Sequence, residues 1–310
     1  MGLGDWLEES VQRYREQSPA RATKRTGQEL WKGVLRRLPN PSGKVIWQRD
    51  WDVLVVLDAC RYDVFEQSYG TAAWLDSVES VRSVGSSSPE WMDNTFHSQY
   101  REELSQTVYV TGNPHSRDHL SSGLLSNVDE VWQDTWDDNL GTIRPESITA
   151  RAVQQYRERT PERLIVHYMQ PHWPYVPNPV MDGFYPETVI GDGSTSNPFD
   201  RQNIGVLSRE EHLKRYRENL HHVVEHLRET LLVGINAQNV VLTADHGELF
   251  GEYGLYKHPG NIPLPAVRRV PWAETSASAE SSYDIPVEAI QSDAHDRDRQ
   301  EQLRDLGYLE

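Results

Sequence analysis

Asp58, the run Ser86-Ser87-Ser88, Gln170 with His172, Asp245-His246 and His258 share one property: each group closes an apolar run or occupies the turn just after one. Carboxylates and imidazoles gathered in this way cannot be buried bare, because an unpartnered charge inside a protein is too costly. Hydrogen bonds, an opposing charge or a bound cation must satisfy them. Two carboxylates, up to three imidazoles and a hydroxyl make a divalent-cation site of mixed oxygen and nitrogen donors, suited to Zn or Mn first, with Ca allowed. A cation beside a serine would lower the pKa of its hydroxyl and make it a nucleophile at neutral pH. Pro89 fits the first turn of a helix patterned by Trp91, Met92 and Phe96, which puts Ser87 or Ser88 at a helix N-terminus, where amides and dipole favour an anion. Each residue also has a structural role open to it. The serines could cap that helix, Asp58 could cap the next one or pair with Arg61, and His172 and His258, both beside prolines, could be packing or turn residues.

The elements that must position these groups follow from the apolar periodicity. Val240 to Thr243 opens the stretch ending in Asp245-His246-Gly247 and reads as a buried strand, and open α/β sheets place ligands at that strand edge. Trp51 to Ala59 carries an unbroken apolar run typical of a parallel strand covered on both faces. Further strands are expected near 78–84, 107–111 and 164–169, and helices over 61–69, 145–158 and from the Ser208/Glu211 capping box to about 232. Strand and helix alternate throughout. The expected architecture is a doubly wound, mostly parallel α/β sheet with helices on both faces. Residues 1–43 read as a helical extension and linker, 44–272 as the α/β catalytic unit, and 273–310 as a flexible segment and final helix. A loop rich in Pro, Gly, Asn and Ser from about 177 to 205 is expected as a lid. In the extension, 3–16 and 28–38 read as amphipathic helices, expected to pack on the main domain because their polar faces are mixed in sign.

Five segments, in order, resemble the alkaline phosphatase superfamily, most closely its sulfatase-like branch. They are Val-Val-Leu-Asp58-Ala-Cys-Arg61-Tyr-Asp63, Ser87-Ser-Pro89, Gln170-Pro171-His172-Trp-Pro174, Thr-Ala-Asp245-His246-Gly-Glu248, and Lys257-His258 leading to Arg269-Val270-Pro271. The resemblance implies an enzyme that hydrolyses or transfers a phosphate or sulfate ester of a small molecule or glycan. It implies that Asp58, Asp245 and His246 hold the metal with Ser87, the nucleophile. His172, Lys257 and His258 would contact substrate or help hold a second ion. Three departures sharpen this. Trp91 replaces the arginine of the Cys/Ser-x-Pro-x-Arg signature, so a formylglycine is not expected. Ala59 and Gln170 stand where two-metal phosphatases carry carboxylates, so one tight ion is expected. A catalytically silent, anion-binding relative associated with glycan metabolism is the alternative reading, although a silent protein has no need of a hydroxyl before Pro89.

The net charge of −16 excludes a nucleic-acid partner bound through general electrostatics. Of 31 basic residues only 5 are Lys, against 47 acids, a balance resembling a halophile's cytoplasmic proteins, where salt screens carboxylate repulsion. The single cysteine, Cys60, points to a reducing compartment. No membrane span or signal peptide is expected, and a cytoplasmic location follows. His222-Val-Val-Glu225-His226 matches the H-x-x-E-H of inverted zinc peptidases. It lies on a heavily charged helix and is read as a solvated face.

Overall fold

A computed structural model of the chain describes residues 19–121, 123–177, 197–279 and 284–285. Strand β1 (Val53–Leu57) has all five residues buried, as an unbroken Val/Leu run requires of a strand covered on both sides. Around it lie β2 (Ser77–Arg82), β3 (Thr107–Thr111), β4 (Asn127–Glu130), β5 (Arg163–Tyr168), β6 (Ala237–Thr243) and β7 (Arg269–Ala277). They form one seven-stranded sheet in the order β2-β7-β6-β1-β5-β3-β4. β1 pairs in parallel with β5 and β6, β5 with β3, and β3 with β4, while β7 runs antiparallel to both of its neighbours. The sheet is therefore mostly parallel, as expected, with one reversed strand inserted near an edge.

That reversed strand corrects one expectation. Residues 273–277 do not open a flexible segment; they form the second half of β7 and pair with β6 from Ala273↔Leu242 to Ala277↔Ala237. Pro271, which argues against a central strand, pairs only toward β2, opposite Ser80, before the β6 pairing begins. The final helix expected within 273–310 and the helix at 3–16 lie outside the described residues, as does most of the expected lid. Residues 198–203, at the end of that loop, are helical.

Helices surround the sheet. Helix α1 (Pro19–Leu35) belongs to the extension, α2 (Tyr62–Tyr69) follows β1, α3 (Ser88–Thr95) follows β2, α4 (Pro145–Arg159) precedes β5, and α5 (Arg209–Glu229) precedes β6. At the start of α5 the Ser208 hydroxyl accepts from Glu211 N at 3.1 Å, but the Glu211 carboxylate pairs forward with Arg215 instead of closing the box. His222 and His226 sit half-buried on α5, and His226 Nε2 meets Thr149 Oγ1 of α4 at 2.9 Å. The H-x-x-E-H motif thus packs against a neighbouring helix. Among the described residues no helix is long and apolar enough to cross a membrane.

Candidate active site

The parallel strands deliver their C-terminal ends to one edge, and the chemistry collects there. Asp58 follows β1 directly, and Asp245-His246 follows β6 after Ala244. Gly247 then turns under the backbone: a Cβ there would lie 2.1 Å from the Ala266 carbonyl oxygen, so only glycine fits. Arg61, buried, binds Asp63 bidentately at 2.9 and 2.7 Å, and its Nη1 donates to the Glu248 carbonyl at 3.0 Å and to Glu252 at 2.6 Å. This fork ties the turn after β1 to the turn after β6.

The first cluster is Asp58, Asp245 and His246, all buried, with one donor atom each within 4.8 Å of the others. His246 Nε2 lies 3.3 Å from Asp245 Oδ2 and 3.6 Å from Asp58 Oδ1. Its Nδ1 lies 2.8 Å from the Gly247 carbonyl oxygen, which can only accept, so Nδ1 carries the proton. Burial holds His246 below its usual pKa, so the ring is neutral and presents the Nε2 lone pair to two carboxylates. The donors on these carboxylates leave part of that arrangement unmet. Asp58 Oδ1 and His167 Nε2 have no hydrogen-bond partner, and His167 Nε2 points at the same place, 3.9 Å from Asp58 Oδ2 and 3.8 Å from Asp245 Oδ2. Burial pushes Asp58 well above the usual carboxylate range, and the Asp245 carboxylate pushes it further. Burial would raise Asp245 too, but the His246 and His167 imidazoles and bonds from Ser88 and Ala59 outweigh it and keep it low. Two carboxylates, one of which cannot ionise beside the other, and a lone pair aimed between them fit a divalent cation.

The three serines separate. Ser86 is structural: its Oγ donates to Glu90 at 2.8 Å and accepts from Ile262 N at 3.1 Å. Ser87 is the N-cap of α3, and its hydroxyl makes no bond to the helix it caps. Ser88 Oγ, buried, donates to Asp245 Oδ2 at 2.7 Å and lies 3.2 Å from His246 Nε2. The hydroxyl standing among the expected cation ligands is therefore that of Ser88, one residue beyond Ser87. The spacing to Pro89 indicates the helix start, but which hydroxyl turns inward depends on backbone geometry at the cap.

A second cluster, His172, Glu248 and His258, stands beside the first, with the His246 and His258 rings 4.4 Å apart. His258 Nδ1 meets Glu248 Oε2 at 3.1 Å, and the His172 and His258 rings are 5.1 Å apart. Burial raises Glu248 to about 7 and lowers His172 to about 3. His258, expected with His172 to contact substrate or help hold a second ion, stands with His172 in this second group. Lys257 joins neither cluster: its ammonium is 4.0 Å from Asp200, and 46% of its side chain is exposed. Gln170 is buried and spends its amide on the Ile143 carbonyl at 2.8 Å.

Four residues were not picked out by sequence patterning. Asn113 donates to Asp58 Oδ2 at 2.7 Å and so orients that carboxylate. Glu248 supplies the carboxylate of the second cluster. His167 looked like one more residue of a buried strand, and its Nδ1 bonds Tyr109 at 2.8 Å. His115 is driven to about 3 by burial and by neighbouring imidazoles, those of His258, His172 and His246 among them, which places it at the same edge.

No family model matches the chain, and no curated protein matches it by sequence. Solved structures do. The integral membrane protein lipooligosaccharide phosphoethanolamine transferase A from Neisseria meningitidis aligns over 84% of this chain and 55% of its own, with 15% identity and a TM-score of 0.50. The chain has the alkaline phosphatase/sulfatase-like fold. The soluble domain of the same transferase aligns over 78% of this chain and 79% of its own, at 15% identity and a TM-score of 0.48. The C-terminal periplasmic domain of EptC from Escherichia coli, in complex with Zn, aligns over 77% of each chain at 12% identity and a TM-score of 0.47. In a sulfatase-like fold of this kind the strand edge carrying Asp58, Asp245 and His246 is where a ligand site belongs.

Proposed function

We propose that the protein is a metal-dependent hydrolase or transferase of phosphate or sulfate esters that uses Ser88 as its nucleophile. The observation that carries this reading is the Ser88 hydroxyl at the N-terminal end of α3, bonded to Asp245 and in reach of His246, inside a buried cluster where Asp58 Oδ1 and the facing His167 Nε2 lack partners. Asp58, Asp245 and His246 would hold one divalent cation, which supplies Lewis-acid polarisation and charge neutralisation at the ester's oxygens. Zn or Mn suits this donor set.

The remaining steps belong to side chains. Ser88 Oγ hands its proton toward Asp245 Oδ2 and forms a bond to phosphorus or sulfur, while the bond to the leaving oxygen breaks. The positive end of α3 lies under the anion that this creates. His258 and Glu248 share a proton near neutrality, since Glu248 is raised to about 7. That pair is the acid for the leaving oxygen, with His172 beside it to orient the ester. Water or an acceptor alcohol then takes the group from Ser88 in reverse. A phosphoethanolamine transferase with this fold supports transfer as well as hydrolysis, by fold-level analogy.

The test is metal content together with turnover of aryl phosphate, phosphodiester and sulfate ester, on the wild type, Ser87→Ala and Ser88→Ala. Stoichiometric metal with turnover lost only in Ser88→Ala supports the assignment. Loss in Ser87→Ala instead would move the nucleophile one residue back, and absence of both metal and turnover would favour a silent anion-binding protein.

A further inference from the structure

Helix α1 is held to the domain by one face and leaves an apolar ridge on the other. Ala22 and Leu35 are buried, Leu35 against Leu249, Leu255, Ile262, Leu264 and Val267. Gln28 donates to the Gly254 carbonyl at 2.6 Å and Arg36 to the Gly260 carbonyl at 3.1 Å. The opposite face carries Leu30, Trp31, Val34 and Leu38, exposed by 54, 39, 47 and 46%. Leu38 keeps the register because the backbone turns once more past the helix, Leu38 N reaching Leu35 O at 3.0 Å. At about 100° per residue these four side chains span roughly one quadrant. A run of this kind, left uncovered among the described residues, is what soluble monomers avoid.

Charge identifies what covers it. In a chain of net −16, residues 19–38 hold six bases (Arg21, Lys24, Arg25, Lys32, Arg36, Arg37) against one acid, Glu29. By the same helical angle Lys24 and Arg37 border the ridge, each about 20° outside its edges. A second copy of the chain packing through this face would set the bases that border the ridge, Lys24 and Arg37, against like charges, because a two-fold interface meets itself. An anionic bilayer meets both features at once: its headgroups take the flanking Lys24 and Arg37, and its acyl boundary takes Trp31 and the aliphatics. The acidic remainder of the molecule is screened beyond about 10 Å at 0.1 M salt, so the local sign governs contact.

We infer that α1 is an interfacial helix that seats the protein on an anionic lipid surface through Leu30, Trp31, Val34 and Leu38. The helix ends at the site: Arg36 holds Gly260, and a Cβ on Gly260 would lie 3.4 Å from Ser87 Oγ. On the function proposed above, an ester presented at the bilayer would meet the clusters beside this contact.

The test is flotation of the full chain with vesicles of phosphatidylcholine mixed with phosphatidylglycerol, and with phosphatidylcholine alone. Binding is read without turnover, so it is judged apart from the ester chemistry. The wild type floats with the anionic vesicles only. Leu30→Gln/Val34→Gln weakens that binding about tenfold or more, and Arg37→Gln weakens it about fivefold. Both substitutions are at exposed positions, and unchanged thermal melting confirms that the variants fold. A wild type that stays unbound, or binds neutral vesicles equally, overturns the inference. So does a concentration-dependent dimer by sedimentation that Leu30→Gln/Val34→Gln dissolves, which would give the ridge to a second copy.

Discussion

The two clusters lie side by side yet are built differently. Asp58, Asp245 and His246 are buried at the ends of adjacent central strands, with Asp245 Oδ1 fixed by the Ala59 and His246 amides at 3.1 and 2.8 Å. His172, Glu248 and His258 come from loops, and His258 keeps 25% of its side chain in solvent. On the function proposed above, the difference separates holding from handling. A rigid, dry, oxygen-rich cage keeps an ion, whereas an accessible imidazole and carboxylate sharing a proton can meet an incoming ester.

If that division is right, Ser88→Ala should cost at least about a thousandfold in turnover with metal content intact, and Ser87→Ala less than about tenfold. Next in size, Asn113→Ala frees the Asp58 carboxylate and should weaken metal affinity by about 10- to 100-fold, read by chelator competition. An equal loss of affinity in His172→Ala would erase the distinction between the clusters. The third effect is on stability. In the ion-free protein Glu248 ionises at about 7 when folded, above the usual carboxylate value of 4.5. The folded state therefore binds the extra proton, and its stability falls as pH rises from 4.5 through 7. Glu248→Gln removes that penalty. Its advantage over the wild type should grow across this window to about 3 kcal/mol by denaturant titration, and a constant difference would mean that Glu248 is not desolvated. The smallest effect is expected at Lys257, whose replacement by Ala should change turnover by less than about threefold.

The sequence announced the strand-end groups because β1 and β6 are buried on both faces, so Asp58 and Asp245 stand out as the first polar residues after apolar runs. Orientation was not legible in the same way. Asn113 meets Asp58 across 55 positions of chain, and His167 faces the cluster because the register sets it opposite Val56. No periodicity encodes either fact. The choice of Ser88 over Ser87 turns on the cap backbone, where Ser87 is extended at φ −153° and ψ 160° and Ser88 begins the helix. β7 escaped notice because Pro271 argues against a strand interior and the residues from Ala273 on are small or polar.

Glu90 has a consequence for how this site could change. One carboxylate oxygen accepts from Ser86 N and Oγ at 2.8 Å and from Asn261 N at 3.0 Å, joining the residues before α3 to the loop that follows His258. The two segments of the candidate site are thus one heritable part: a loop borrowed from a relative at 259–262 would arrive without its anchor, and specificity here should evolve or be engineered only in exchanges that carry Ser86 and Glu90 with them.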